Sequence, residues 1–372
     1  MSREIVREEG IQSLWDTYEM KKGSRFYRKE FGYYCLDEWY DQGLSPQTDM
    51  AREFTYDIPA KYYLGHLGWC EAPFSPEFPE KVLEDRGKHE LIQDHAGRAV
   101  LMFKGRRSGF MPEYMDHPVK DMKTWEGQCK WRMNPESPER FGDLEKVKDE
   151  VQNALSMGMM ITQNLVGGYM YLRSLMGPEG ILYMVYDNPK LIHECMETWF
   201  SVSDRIIGEY QKFVTLDELF LAEDICYNMG PLISPDMIRE FLFPYYKQLI
   251  SNIKGRQLDK SRHLYIQIDT DGNAVPVIPV YQEIGMDVMS PFEVASFCDV
   301  VEIGRQFPDL IMVGGIDKRV LAEGKDAIDL HLDYILPAMS ERGGFCPTCD
   351  HGVPPEVSLE NYRHYRKRCL EY

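Results

Sequence analysis

The sequence predicts an α/β chain closed as a (β/α)8 barrel with an elaborated helical N-terminal region. Three observations carry this. In the second half, short apolar runs repeatedly end in an acidic residue, followed by a Gly/Pro-rich loop and then an amphipathic helix. The intervals between those acids each hold one crossover helix, the connection that parallel strands need. No GxGxxG or P-loop turn favours the alternative, a doubly wound open sheet.

Composition sets the outer bounds. At 372 residues, with 44% hydrophobic and 27% charged, the chain can bury a full core. A net charge of −18 argues against nucleic acid or an anionic membrane as the main partner. No apolar run approaches the roughly 18–20 residues of a membrane span. The N-terminus, MSREIVREEGIQSLWDTYEMKKG, has no apolar signal core and reads as an amphipathic helix, so a cytoplasmic location is expected. Nine scattered cysteines, several in apolar settings (Cys195, Cys226, Cys298), fit reduced thiols.

In chain order, residues 1–60 are aromatic-rich and read as a helical extension packed on a barrel that spans residues 61–372. HELIQDHAGRAVLMFKG reads as a hairpin around His95-Ala96-Gly97. GMMITQNLVGGY is a buried strand, and the helix after it starts with Asn188 as cap and Pro189 in the first position. LFLAED ends in Glu223 and Asp224. The following helix is capped by Ser234, opens on Pro235, and carries Ile238, Leu242, Tyr245 and Leu249 on one stripe. HLYIQIDTDGN alternates up to Asp269 and Asp271, DVMSPFE ends in Glu293, IMVGGID in Asp317, and GGFCPTCDH in Asp350 and His351.

Residues just after barrel strands converge on one mouth. Any single acid there can instead cap a helix or bind loop amides; five at successive strand ends point to one pocket. Asp269 and Asp271 share a strand face, and crowded carboxylates hold raised pKa values unless a cation sits among them. The candidates for acid–base work are therefore Asp271, His351, Asp350 and Glu223. Asp224 and Glu293 join Tyr169, Tyr171, Arg173, Met111 and Tyr114 as candidate substrate-binding residues, although Met and Tyr are common throughout the chain and core packing is their ordinary use. The segment GGFCPTCDHGVPPEVSLENY holds four readings: metal site, redox pair, acid–base pair, or a sharp turn before the last helix. Its lone CxxC, Cys346 and Cys349, is weak as a metal or redox signal, and strand alternation sends the two thiols to different faces.

The strings AEDICYNMGPLISPDMIREFLFPY, DTDGN, MSPFE, VGGIDKRVLAEG and CDHGVPPEVSLENY together resemble the uroporphyrinogen decarboxylase-like superfamily, a (β/α)8 fold shared by porphyrinogen decarboxylases and corrinoid-linked methyltransferases. FGYYCLDEWYDQGL and PVKDMKTWEGQCKWRMNPESPERF resemble the methyltransferase-like members. The decarboxylases carry MRQAGR near the N-terminus and then Pro-Glu-Tyr. Here GRRSGFMPEY at residues 105–114 echoes only the last part, while His351-Gly352 matches their late His-Gly pair. The thiol-activating methyltransferases bind zinc through His-x-Cys-Gly and a late Cys. On this chain that pattern falls on Asp269, Asp271 and Cys349, a harder donor set.

The resemblance thus implies an O-demethylase component, moving a methyl group from a methoxylated, aromatic donor to a reduced corrinoid (cobalamin). No DxHxxG segment is present, since DLHLDY at residues 329–334 ends in Tyr334, so a separate corrinoid protein would carry the cofactor; zinc is the other implied group. Homodimerisation is implied by analogy only. The alternatives are a porphyrinogen decarboxylase, which needs an arginine-rich cavity, and a barrel that binds a tetrapyrrole or a corrinoid protein without chemistry.

Overall fold

A computed structural model of the chain describes residues 7–105 and 112–372. Its central sheet has seven parallel strands in sequence order: β1 (Lys61–Tyr63), β2 (Met160–Val166), β3 (Glu218–Ala222), β4 (Tyr265–Asp269), β5 (Val288–Ser290), β6 (Ile311–Val313) and β7 (Phe345–Cys346). The sheet curls as a barrel, and the acid-terminated runs of the sequence are its strands.

The eighth position is filled by irregular chain. Residues 26–31 run extended between β7 and β1. There the Cys346 thiol donates to the Tyr27 carbonyl at 3.4 Å, and the Tyr27 hydroxyl donates to the Ile58 carbonyl at 3.0 Å. Beyond it, Tyr33 and Val353 form a parallel bridge. Side chains in this segment alternate as in a strand. Phe26 packs outward on Phe345, Tyr27 packs inward beside Cys346, and Glu30 turns outward to the Cys349 N–H at 2.8 Å.

The N-terminal helix Glu9–Tyr18 closes the base. Ile11, Leu14, Trp15 and Tyr18 share one face at helical spacing and pack with Met160, Val288, Ile311, Val313 and Cys346 inside the barrel. Ile11 and Leu14 each contribute roughly 1.5–3 kcal/mol by leaving water. Two further helices, Leu36–Asp41 and Met50–Glu53, lie within the first 60 residues, joined by extended chain. The larger cluster fills the space between the strands and the outer helices.

Between β1 and β2 is inserted a four-stranded antiparallel sheet, Lys81–Arg86, His89–Gln93, Ala99–Phe103 and Glu113–Asp116. The turn expected at His95-Ala96-Gly97 is there. Asp94 Oδ1 accepts from the Ala96 and Arg98 N–H groups, and Gly97 takes φ +79°. Asn188 and Ser234 cap their helices as expected. The second of these helices is two: Pro235–Phe241 ends at Leu242, and Phe243–Arg256 restarts with Pro244 in its first turn, where a missing N–H costs nothing. Among the described residues no helix is long and apolar enough to cross a membrane.

Candidate active site

The mouth is assembled from loops that follow β3, β4, β5, β6 and β7. Alternation along β4 turns Gln267 and Asp269 to the barrel axis, and Asp271 follows two residues past the strand end. Gly272 then bends the chain at φ +76°, in a place where a Cβ would meet the Tyr227 backbone at 2.8 Å. The Gly272 N–H donates to Glu293 Oε2 at 2.9 Å, which ties the β4 and β5 loops. His351, from the β7 loop, brings Nε2 to 3.7 Å from Asp271 Oδ2. That separation is beyond a hydrogen bond. Phe31 and Tyr34 flank the imidazole with ring centroids at 5.0 and 5.8 Å.

The electrostatics of this pair are unusual. Burial, then the like charges of Asp224, Glu293 and Asp269, push the Asp271 carboxyl up to about 8, with Lys318 opposing. About 40% of the Asp271 side chain still reaches solvent, so it is crowded by charge without being sealed. Burial and the Lys318 ammonium lower the His351 pKa from its ordinary 6.5. At neutral pH a protonated carboxyl therefore faces a neutral imidazole.

Asp269 is held up at about 6 by burial, although the Ser290 hydroxyl donates to its Oδ1. Lys318 reaches Glu293 Oε1 at 3.2 Å and Asp350 Oδ1 at 3.6 Å. Asp224, at φ +41°, pairs with Arg173 at 2.7 Å. Tyr169 sits behind that pair, fully buried, its hydroxyl without a partner among the described residues.

Other predicted residues go elsewhere. Glu223 is sealed beneath the mouth, where Tyr246 and Tyr281 hydroxyls donate to it at 2.5 and 2.9 Å and the Tyr169 N–H at 3.3 Å. Burial raises its pKa to about 7, but it positions the turn at Gly167 and Gly168 and does not face the opening. Asp350 is likewise fully buried; its oxygens accept from the Val294 and Lys318 N–H groups at 2.9 and 3.2 Å, clamping the β5, β6 and β7 loops. Asp317 folds back on Arg319.

Tyr171 lies on the outer side, where Cys195, Cys129 and Arg140 are its neighbours. Tyr114 stands on the inserted sheet beneath the Arg98 guanidinium. Met111 lies outside the described residues.

Cys346 and Cys349 do separate: Cys346 belongs to the inner cluster, Cys349 to the outer core. With Cys349 in the core, the Asp269, Asp271 and Cys349 set is not gathered. Among the described residues no three His, Cys, Asp or Glu side chains are placed to hold a metal ion. The donor set does not fit zinc. DLHLDY lies inside helix Lys325–Arg342, where His331 Nε2 accepts from the Asp317 N–H at 3.0 Å, so it makes no corrinoid ligand.

Two features escaped the sequence. Trp69, on the loop after β1, stacks on Phe220 of β3 at 5.2 Å and 10°, which gives the mouth a flat aromatic wall. Lys318 is the cation of the acid cluster. Alternation from Glu218 would have turned Phe220 inward, but the three-residue β1 offers no periodicity by which to find Trp69.

The sequence profile of the uroporphyrinogen decarboxylase (URO-D) family matches residues 111–372, well over half of the chain. The chain belongs to the URO-D family. Among solved structures, a methyltransferase from Methanosarcina mazei is similar to this URO-D family chain with a TM-score of 0.58 and 14% identity, covering 97% of this chain and 98% of that one. At that identity the likeness shows the fold. A putative vitamin-B12 independent methionine synthase from Listeria monocytogenes matches at 10% identity over 93% of this chain and 97% of its own, with a TM-score of 0.38, too low to bear on the argument. No curated protein sequence matches.

Proposed function

We propose that this URO-D family member is a methyltransferase that takes the methyl group of a methoxylated aromatic compound and passes it to a reduced corrinoid on a separate protein. One arrangement carries the proposal: Asp271 stands opposite His351 at the mouth, crowded by Asp224, Glu293 and Asp269, which with burial push its carboxyl up to about 8. The corrinoid supplies the nucleophile that accepts the methyl group. The difficulty left for this chain is the leaving group, because an aryl ether gives up its oxygen poorly without a proton.

Asp271 delivers that proton to the ether oxygen as the carbon–oxygen bond breaks, so the electron pair leaves on a neutral phenol. The carboxylate formed is unfavourable beside Asp224, Glu293 and Asp269, and Lys318 offsets part of that cost. A water bonded to both His351 and Asp271 would relay a proton from solvent back to Asp271. The Trp69–Phe220 stack supplies a flat wall for the arene.

Porphyrinogen decarboxylation is the second reading, favoured by the His351-Gly352 pair. Against it, Arg98, Arg173 and Arg319 around the rim are already committed to Asp94, Asp224 and Asp317, where a polycarboxylate substrate would need free guanidinium groups. The test mixes the purified chain with a reduced corrinoid protein and a panel of methoxyarenes. Release of the phenol, with the matching change in the corrinoid spectrum, is expected. Consumption of a porphyrinogen with no phenol from any donor would overturn the proposal in favour of decarboxylation, and neither activity would leave a binding barrel.

A further inference from the structure

The His351 imidazole makes no hydrogen bond with a described residue; it stands 3.7 Å from Asp271 Oδ2. Rings hold it instead. Phe31 and Tyr34 flank it with their planes tilted by 32° and 31° to its own. Gly352 is what lets Tyr34 close in, because a Cβ there would meet the Tyr34 ring at 2.5 Å. The His351-Gly352 pair therefore works as a unit: one residue is gripped, and the next is bare so that a gripping ring fits.

Both rings belong to the irregular segment in the eighth barrel position. Above Phe31, backbone bonds fasten that segment to the β7 loop. The Tyr34 N–H donates to the Val353 carbonyl and the Val353 N–H to the Gly32 carbonyl, each at 2.8 Å. Just below, this ladder fails. The Phe31 and Cys349 N–H groups meet no backbone carbonyl among the described residues, and both donate to one side-chain oxygen, Glu30 Oε1, at 2.9 and 2.8 Å. Phe31 carries a ring that lies on His351, and Cys349 is two residues before it. The second oxygen, Oε2, accepts from the Tyr362 hydroxyl at 2.7 Å, on the last helix, Leu359–Cys369. Tyr362 is in turn bonded to the hydroxyls of Tyr56 and Tyr33. A carboxylate withdrawn from water costs stability unless donors complete it. Here three donors do so, and the buried Arg366 guanidinium offsets part of its charge.

We propose that Glu30 is a positioning residue for His351. One carboxylate oxygen takes the place of the missing ladder bond, and so fixes the Phe31 ring and the His351 backbone relative to each other. The imidazole, with no hydrogen bond of its own to a described residue, is thereby kept opposite Asp271. The inference rests on the methyl-transfer proposal only for the use made of His351, the return of a proton to Asp271; the placement itself stands on the contacts.

The experiment is NMR of the full chain with labelled histidine and backbone amides, the His351 signals being identified by their loss in His351→Gln. In the unaltered chain the flanking rings should move the His351 ring protons away from their ordinary shifts, and the Phe31 and Cys349 amide protons should exchange slowly. Glu30→Leu removes the acceptor, so both amides should lose protection and the His351 shifts should return toward ordinary values. Phenol release should fall by up to about 100-fold in kcat, with KM little changed. Glu30→Gln keeps an acceptor oxygen and should restore both the shifts and the rate. Thermal melting checks the fold of each variant, and the unaltered chain's shifts and amide protection test the inference even if Glu30→Leu does not fold. Ordinary His351 shifts or unprotected amides in the unaltered chain, unmoved His351 signals in folded Glu30→Leu, or Glu30→Gln behaving as Glu30→Leu would each overturn it. Glu30-dependent His351 shifts with no phenol released by the unaltered chain would keep the positioning role and remove the methyl-transfer proposal. Phenol release undiminished in Glu30→Leu, with His351 unmoved, would do the reverse.

Discussion

The base and the rim of the barrel treat charge in opposite ways. At the base, Glu218 is fully buried, but Lys61 grips both its oxygens and Tyr18 donates to it. At the rim, Asp224, Asp269, Asp271 and Glu293 crowd together, with Arg173 and Lys318 offsetting part of their charge. A paired charge fixes position. A crowd of like charges leaves one member holding a proton it would otherwise give up. The first arrangement supports the fold; the second is what an acid catalyst needs.

The comparison breaks most severely at the base. Lys61→Met strands a buried carboxylate, and removing one partner of a buried pair costs about 3–5 kcal/mol; denaturant unfolding should show it. The Lys61→Met, Glu218→Leu double variant should recover much of that loss.

At the rim the larger effect is on rate. Asp271→Asn should lower phenol release by about 10²–10⁴-fold, with little change in melting temperature. In the unaltered chain, activity should fall as the pH rises through about 8, where Asp271 loses its proton.

Stability follows the same group. The folded chain holds the Asp271 proton more tightly than the unfolded chain, whose pKa is near the ordinary 3.8. Between about 4 and about 8 the unfolded state therefore ionises first, and stability falls as pH rises. Below that window nothing is lost, and above it the loss is complete. Asp271→Asn should flatten this part of the pH–stability curve.

Glu293→Gln sharpens the contrast with less force. It removes one like charge and can keep an acceptor for the Gly272 N–H, so the alkaline limb of activity should move to lower pH. The smallest effect is expected from Ser290→Ala, which deletes the hydroxyl bonded to Asp269. Its carboxyl should titrate above about 6 in a carbon-detected NMR titration, for about 1 kcal/mol of stability.

The strand ends were legible because their signals are local: an apolar run, an acid, then a glycine or proline. Asp271, Glu293 and His351 could be placed at one rim on that ground. The division of labour among the acids was not legible. Glu223 and Asp350 carry the same local pattern as Asp271, and what separates them is the hydroxyl groups of Tyr246 and Tyr281 and the amides of Val294 and Lys318, which only tertiary folding brings near. The eighth strand position was hidden for a related reason. Residues 26–31 alternate over too short a stretch, and without regular ladder bonds, to stand out from the helical and extended chain around them.

Because the helix Glu9–Tyr18 stoppers one end of the barrel, the side chains along its axis are approached from the rim. Whatever is consumed and whatever is made must pass the same doorway that any larger partner would cover. Under the methyl-transfer proposal, turnover would have a compulsory sequence: the small molecule goes down first, the partner settles over it, and the spent molecule waits until the partner lifts away.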